Sequence, residues 1–402
     1  MKNFTLASSV LVATLGMQPL MFSHADSIDS VAEMLAEGDT SLSFRYRYEF
    51  VDQDGVAKDA NASTLKSRLT YKSATYNGLK AVMELDNVTL IGDENYRTPT
   101  NGNLGYPIVA DPDGTDFNQA LLAYKNADFD LTVGRQRIIH GGQRFVGGVG
   151  FRQNEQTYDA LTLATKVQES VSVNYSYIWH VNRIFGPKDS AVQAKRWQSD
   201  SHIFYGTVAP AKDHSVKAYA YWLDFANAAA NSSQTVGVEY SGKFDGFSVN
   251  AAYASQSDYA DNPISYSADY TMAQVTLPLK PLSLSIGYEL LGSDKGVAAF
   301  KTPLATLHKF QGWADKLLGT PANGVEDIYL KLAGKLGAAK VALFYHDFSS
   351  DVGGAALGSE LDIVATYPIN KNLSVQLKYA SYDADNHASD TDKLWFTINA
   401  KY

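Results

Sequence analysis

The chain has 402 residues, a formal charge of −9 and no cysteine, so disulfide frameworks and thiolate metal sites are excluded. Beyond the N-terminus no stretch reaches the ~18 consecutive apolar residues of a membrane-spanning helix. Aromatic residues make up 12% of the chain, a composition shared by secreted soluble β-proteins and by barrels whose strands alternate lipid-facing and water-facing residues.

Residues 1–25, MKNFTLASSVLVATLGMQPLMFSHA, combine a charged Lys2, a short apolar run and a small-residue end at Ser23-His24-Ala25. That is the pattern of a secretory signal cleaved before Asp26. Residues 26–39 then read as a short periplasmic segment with a helix over 27–38, placing Ile28, Val31 and Leu35 on one face.

From residue 40 to 402 the sequence alternates with period two. Leu42, Phe44, Tyr46, Tyr48 and Phe50 oppose Ser41, Ser43, Arg45, Arg47 and Glu49. About 18 such segments follow one another, each a candidate strand with one apolar and one wet face. They lie near 40–50, 63–76, 78–90, 116–126, 128–139, 156–167, 170–181, 199–209 and 215–225. The second half continues at 233–244, 246–256, 266–277, 281–292, 326–336, 339–349, 358–369, 371–382 and 391–402. Most exceed the ~5–6 residues usual in soluble strands and match the ~9–11 of a tilted membrane strand. Short turns such as Asn77-Gly78 take turns with long connections such as 91–115, 140–155 and 293–325. The pattern predicts an all-β transmembrane antiparallel barrel of the outer membrane, with turns and both termini on the periplasmic side. A soluble sandwich or propeller would show shorter strands or a ~40–50-residue repeat. An aromatic end at Tyr402 suits recognition by barrel-assembly machinery, and acidic outer loops suit contact with lipopolysaccharide. No nucleic-acid partner, cofactor or metal is expected.

A barrel this wide leaves a water-filled lumen, so solute passage is the expected function. Three stretches are candidates for controlling it. Between 134 and 156 the sequence GRQRIIHGGQRFVGGVGFRQNEQ gathers Arg135, Arg137, Arg144 and Arg152 among glycines. Guanidinium groups of this kind hold carboxylates in bidentate fashion without needing fixed spacing. Arg135 and Arg137 share parity with Phe129, Leu131 and Val133, which points them at lipid unless a bulge at Gly134 turns the phase. On the first two strands Arg45, Arg47, Lys66 and Arg68 lie on the wet face, several strands away and so across the lumen. Finally, KTPLATLHKFQGWADKLLGTP within 293–325 predicts a short amphipathic helix capped at Thr302, presenting His308, Lys309, Trp313 and Asp315 either to the rim or to the solute. The alternative for the arginines is that they pair with Glu49, Glu84, Asp86 and Glu155 and brace the wall.

The segments RYRYEFVDQDG (45–55), ASTLKSRLTYKSATYNGLKA (62–81), ADPDGTDFNQALLAYKN (110–126), VGRQRIIHGGQRFVGGVGFRQNEQTYDA (133–160) and PLATLHKFQGWADKLLGTPANGVEDIYL (303–330) resemble the alginate-export-type outer-membrane porins. The resemblance implies an 18-stranded barrel with an arginine-rich lumen passing an anionic polysaccharide. It implies carboxylate contacts at Arg135, Arg137, Arg144 and Arg152, and also at Arg45, Arg47 and Arg68. A general diffusion porin, an adhesin and a barrel enzyme are the competing classes. The last would need a Ser-His site, for which the eight histidines offer no local motif.

Overall fold

The structure is a computed structural model that describes residues 28–190 and 193–402. The signal sequence expected at 1–25 lies outside the described residues. The first six strands are β1 (Asp39–Gln53), β2 (Ala60–Lys72), β3 (Leu79–Leu90), β4 (Gly114–Lys125), β5 (Phe129–Gln136) and β6 (Thr157–Gln168). Next come β7 (Val171–Asn182), β8 (Arg196–Ala211), β9 (His214–Leu223), β10 (Ser233–Phe244), β11 (Phe247–Asp258) and β12 (Ser267–Leu279). The circuit ends with β13 (Leu282–Leu291), β14 (Val325–Leu336), β15 (Ala339–Ser349), β16 (Ala356–Pro368), β17 (Leu373–Ala384) and β18 (Thr391–Lys401). Every strand pairs antiparallel with its chain neighbours, and β1 pairs with both β2 and β18, so the sheet closes into an 18-stranded barrel without edges. Tyr402 completes the seam by exchanging both backbone hydrogen bonds with Leu42, at 2.9 and 2.7 Å.

Alternation sorts side chains as the pattern requires. Leu42, Leu69, Met83 and Leu122 stay exposed on the outer wall, while Arg47, Glu49, Lys66, Glu84 and Asp86 are buried on the lumen side. An outward apolar face is stable only against hydrocarbon, because in water it would lose ~25 cal/mol for each Å² left exposed. No helix among the described residues is long and apolar enough to cross a membrane; the strands cross instead. Turns on one side are tight. Asn77 and Gly78 both have positive φ, 47° and 82°, the mirror-image turn that matches strand twist, and a Cβ on Gly78 would meet the Lys125 carbonyl at 2.3 Å.

Among the described residues one short helix, α1 (Val31–Ala36), precedes the barrel, with Ser30 capping Glu33 N–H. It docks beneath the β2–β3 turn through Ala74 N–H to the Met34 carbonyl at 3.0 Å and the Tyr71 hydroxyl to the Leu35 carbonyl. Met34 is its buried residue, whereas Val31 and Leu35 face outward.

Two long connections on the opposite side fold inward and fill the outer half of the lumen. The 137–156 and 292–324 segments are strapped to each other by Gly147 N–H to Leu304 O (2.9 Å) and Thr306 N–H to Gln143 O (3.0 Å). Phe145, Tyr158, Tyr221, Tyr270, Phe300 and Leu304 form an apolar core between these straps and the wall. Ala314, Leu317, Phe151 and Trp313 form a second against Phe348, Tyr382 and Trp395.

The amphipathic helix expected in 293–325 is not formed. Only one 3-10 turn, Leu307–Lys309, is present. Gln311, Gly312 and Asp315 have φ of 48°, 79° and 63°, which a right-handed helix cannot contain. Tertiary partners draw the backbone out of the helical path: Glu360 accepts Ala314 N–H at 2.6 Å, and the Thr306 hydroxyl accepts Val149 N–H at 3.1 Å.

Candidate functional site

The constriction is built where β5 stops short. β5 has eight residues, and beyond Gln136 the chain leaves the wall and crosses into the lumen. The register of β5 with β4 and β6 is continuous through Gly134, so the phase-turning bulge expected there is absent. Arg135 therefore keeps the outward parity of Val133. At the outer end of the wall its charge is met by Asp159 (2.8 Å) and Asp116 (3.4 Å), and it does not join the other arginines. The bulge lies one strand away: β3 pairs Glu84 with Gln119 and Leu85 with Phe117, leaving Asn118 as the extra residue. That bulge aims Asn118 inward, where it donates to Glu84 (2.7 Å) and Glu155 (3.0 Å).

Around these carboxylates sits the first charge cluster. Arg68 grips Asp86 with two bonds of 2.6 Å and reaches Glu155 at 2.8 Å. Arg137 contacts the same Glu155 at 2.6 Å and also Glu84. Lys66 stands 3.8 Å from Glu155, with no hydrogen bond to its ammonium. The first two strands thus do not face the arginine loop across the lumen. They share its carboxylates, because β2, β3 and the end of β5 lie on one side. Burial alone would push the Glu155 carboxyl up, but Arg68, Lys66 and Arg137 outweigh it and hold it well below the usual carboxylate range.

A second cluster joins the two straps to the adjoining arc of β17, β18 and β1. Arg152 donates to Glu49 and to Asp315, both at 2.9 Å, and Asp315 also receives Lys393 at 3.0 Å and His308 at 2.7 Å. Lys378 lies 2.6 Å from the His308 Nε2 and 3.6 Å from the Trp313 ring centre. Burial keeps His308 well below its ordinary value, so it is neutral here. Arg45 and Arg47 hold the strap by its backbone. Arg45 donates to the carbonyls of Gly150 (2.9 Å) and Phe151 (3.2 Å), and Arg47 to that of Phe151 (2.5 Å), while its guanidinium covers the Phe151 ring at 4.2 Å. The third cluster is Arg144 with Glu289 (2.5 Å), Gln311 (3.0 Å) and Thr302 (3.3 Å).

Trp313 packs against Lys378 and Phe344, and Lys309 is tied to the Gly142 carbonyl at 2.8 Å. No group of three or more acids and histidines among the described residues is arranged to hold a metal ion.

Beneath the straps the lumen changes character. Strand register places Lys80, Lys166, Lys243, Lys331, Lys335 and Lys340 on the inner face of the periplasmic half. None of them makes an ion pair with a described residue; the nearby Asp130 and Glu239 are taken by Lys125 and Lys217. Lys335 and Lys340 stand directly opposite each other on β14 and β15. Sequence reasoning passed over these lysines because they are spread one or two to a strand, with no local cluster to notice. Lys378 and Lys393 were missed for the same reason. Their inward parity is readable from alternation on their own strands.

The sequence matches the family model described as Gram-negative porin over residues 22–402. The chain belongs to that family. This porin is similar in fold to several solved outer-membrane channels at low identity. It superposes on Acinetobacter baumannii OccAB4 with a TM-score of 0.70 at 14% identity, over 92% of this chain and 99% of that one. Pseudomonas aeruginosa OccK3 (OpdO) gives 0.71 at 12%, over 92% and 97%, and A. baumannii OccAB2 gives 0.70 at 15%, over 92% and 99%. No curated protein matches the sequence. The porin is an integral protein of the outer membrane, and family and fold point to a channel and not an enzyme. The alginate-export type suggested by local sequence resemblance receives no support from these matches, which stop at the porin family.

Proposed function

We propose that this porin passes small anions, with acidic saccharides of the uronate type, alginate fragments included, as its cargo class. The observation that carries the reading is the set of lysines without carboxylate partners in the periplasmic half of the lumen. In a narrow water-filled passage with low-dielectric walls, one sign of fixed charge concentrates the opposite mobile ion. The constriction arginines contribute differently. Arg68, Arg137, Arg144 and Arg152 are matched by carboxylates, so they set the width of the passage by pinning the straps. That matching is also what favours the second reading, a general diffusion porin in which charge is used for bracing alone.

The two readings part in a planar bilayer under a KCl gradient. Anion passage predicts a zero-current potential that favours chloride and moves toward zero in a Lys331→Gln, Lys335→Gln, Lys340→Gln variant. It further predicts that uronate trisaccharides interrupt the current more often than neutral trisaccharides of the same size. A wild-type potential that favours potassium would sink the proposal and leave the general porin.

A further inference from the structure

Above the straps the outer mouth opens into a cavity of about 870 Å³. Four cations line it: Arg152 is paired with Glu49 and Asp315, while Arg97, Arg183 and Lys301 make no ion pair with a described residue. The carboxylate that also lines it, Asp315, is already engaged by Arg152 and Lys393. Arg183 is the most constrained of the three. It leaves the end of β7 with its guanidinium 4.1 Å from the Trp197 ring centre and 4.5 Å from that of Phe185. One Nη1–H is given to Gln193 at 2.7 Å, and the Nε is buried without a partner among the described residues. Burial lowers it to about 10, so it stays charged at neutral pH. Much of the remaining lining is apolar, with Leu104, Ile108 and Leu318 exposed to the cavity.

A guanidinium sandwiched by rings and denied a carboxylate keeps unspent donors in a fixed direction, the arrangement that suits bidentate recognition of an oxyanion. We propose that this vestibule is a capture site at which Arg183 takes the carboxylate or phosphate of an incoming solute whose remaining body, of mono- to disaccharide size, rests an apolar face on the Leu104–Ile108 wall. The volume falls within the ~300–1,000 Å³ of small-molecule sites. The inference deepens the anion-channel reading by giving it a first docking point upstream of the lysine-lined half.

Single-channel block by digalacturonate tests it, with maltose as the neutral probe of equal size. Because the chain has no cysteine, a biotinylated Asp54→Cys on the outer β1–β2 hairpin reports through streptavidin which compartment faces the long loops. From that side digalacturonate is expected to associate about tenfold faster than maltose. Arg183→Gln should remove that advantage, Arg183→Lys should keep part of it, and Lys301→Gln, in the same cavity lining, should reduce it independently. Heat-modifiable migration on gels verifies that each variant is folded. If digalacturonate enters wild-type channels no faster than maltose, or if neither Gln variant slows it, the capture site is overturned. The wild-type zero-current potential separates this from the parent reading. Chloride preference with an unchanged Arg183→Gln rate removes the capture site alone. Potassium preference with a tenfold drop in that variant removes the lumen reading and keeps the vestibule.

Discussion

Arg144 and Glu289 illustrate what single residues do in this lumen. Both are buried, and burial works against the charge on Arg144, yet Glu289 and Tyr270 outweigh it and raise its affinity for the proton. The pair joins the 137–156 strap to β13, and Gln311 of the second strap binds both members, with 2.5 Å to Glu289. Removing one partner leaves an uncompensated buried charge, which costs ~3–5 kcal/mol, whereas replacing both by apolar groups of similar volume is often neutral. Arg144→Met is therefore expected to lower the urea midpoint of the folded barrel. The Arg144→Met, Glu289→Leu double variant should regain most of the loss. A double variant no better than the single one would show that the pair does not couple strap to wall. Gly312 acts at the same scale by absence: with φ of 79°, a Cβ there would lie 2.2 Å from the Glu360 carboxylate, which occupies that space to hold Ala314.

As elements, the two straps differ in what acid does to them. His308, in the 292–324 strap, faces Asp315, Lys378 and Arg152, and burial depresses its proton affinity well below 6.5. An unfolded or undocked imidazole takes its proton first, so docking weakens by about 1.4 kcal/mol per unit as pH falls below about 6.5. Glu155, in the 137–156 strap, behaves oppositely in position: its contribution is complete above its ordinary value of 4.5 and is lost only as pH falls through its depressed folded value. Acidification should thus loosen the 292–324 strap first, seen as added current noise between pH 6.5 and 5, and the 137–156 strap only below pH 4.5. His308→Asn should abolish the first stage and leave the second. Noise that begins only below pH 4.5 in the wild type would contradict this order. The strands were legible in the sequence because alternation is a local property that each one carries alone. The straps were not. Their conformation is fixed by partners more than 100 residues away, as with Arg152 and Glu49 or Gln143 and Thr306, and no window of sequence contains both ends. The helix expected around Thr302–Gly319 failed for that reason, whereas the outward stay of Arg135 follows the parity of its own strand, with Asp159 meeting its charge.

At the scale of the whole molecule, the six lysines of the periplasmic half make no ion pair with a described residue, while in the strap-filled constriction above them the arginines are largely matched by carboxylates. Such a passage is a fixed-charge junction set in series with a nearly neutral one. Mobile chloride is pre-concentrated on one side of the junction and not the other, so equal and opposite voltages do not carry equal currents. The porin should rectify in dilute salt. Because the Debye length shrinks from ~30 Å at 0.01 M to ~3 Å at 1 M, the inequality should fade as salt rises. A current–voltage curve that is symmetric at 0.01 M KCl would mean that the lysines do not govern the ions in the pore. The same junction would act as a valve with no moving part.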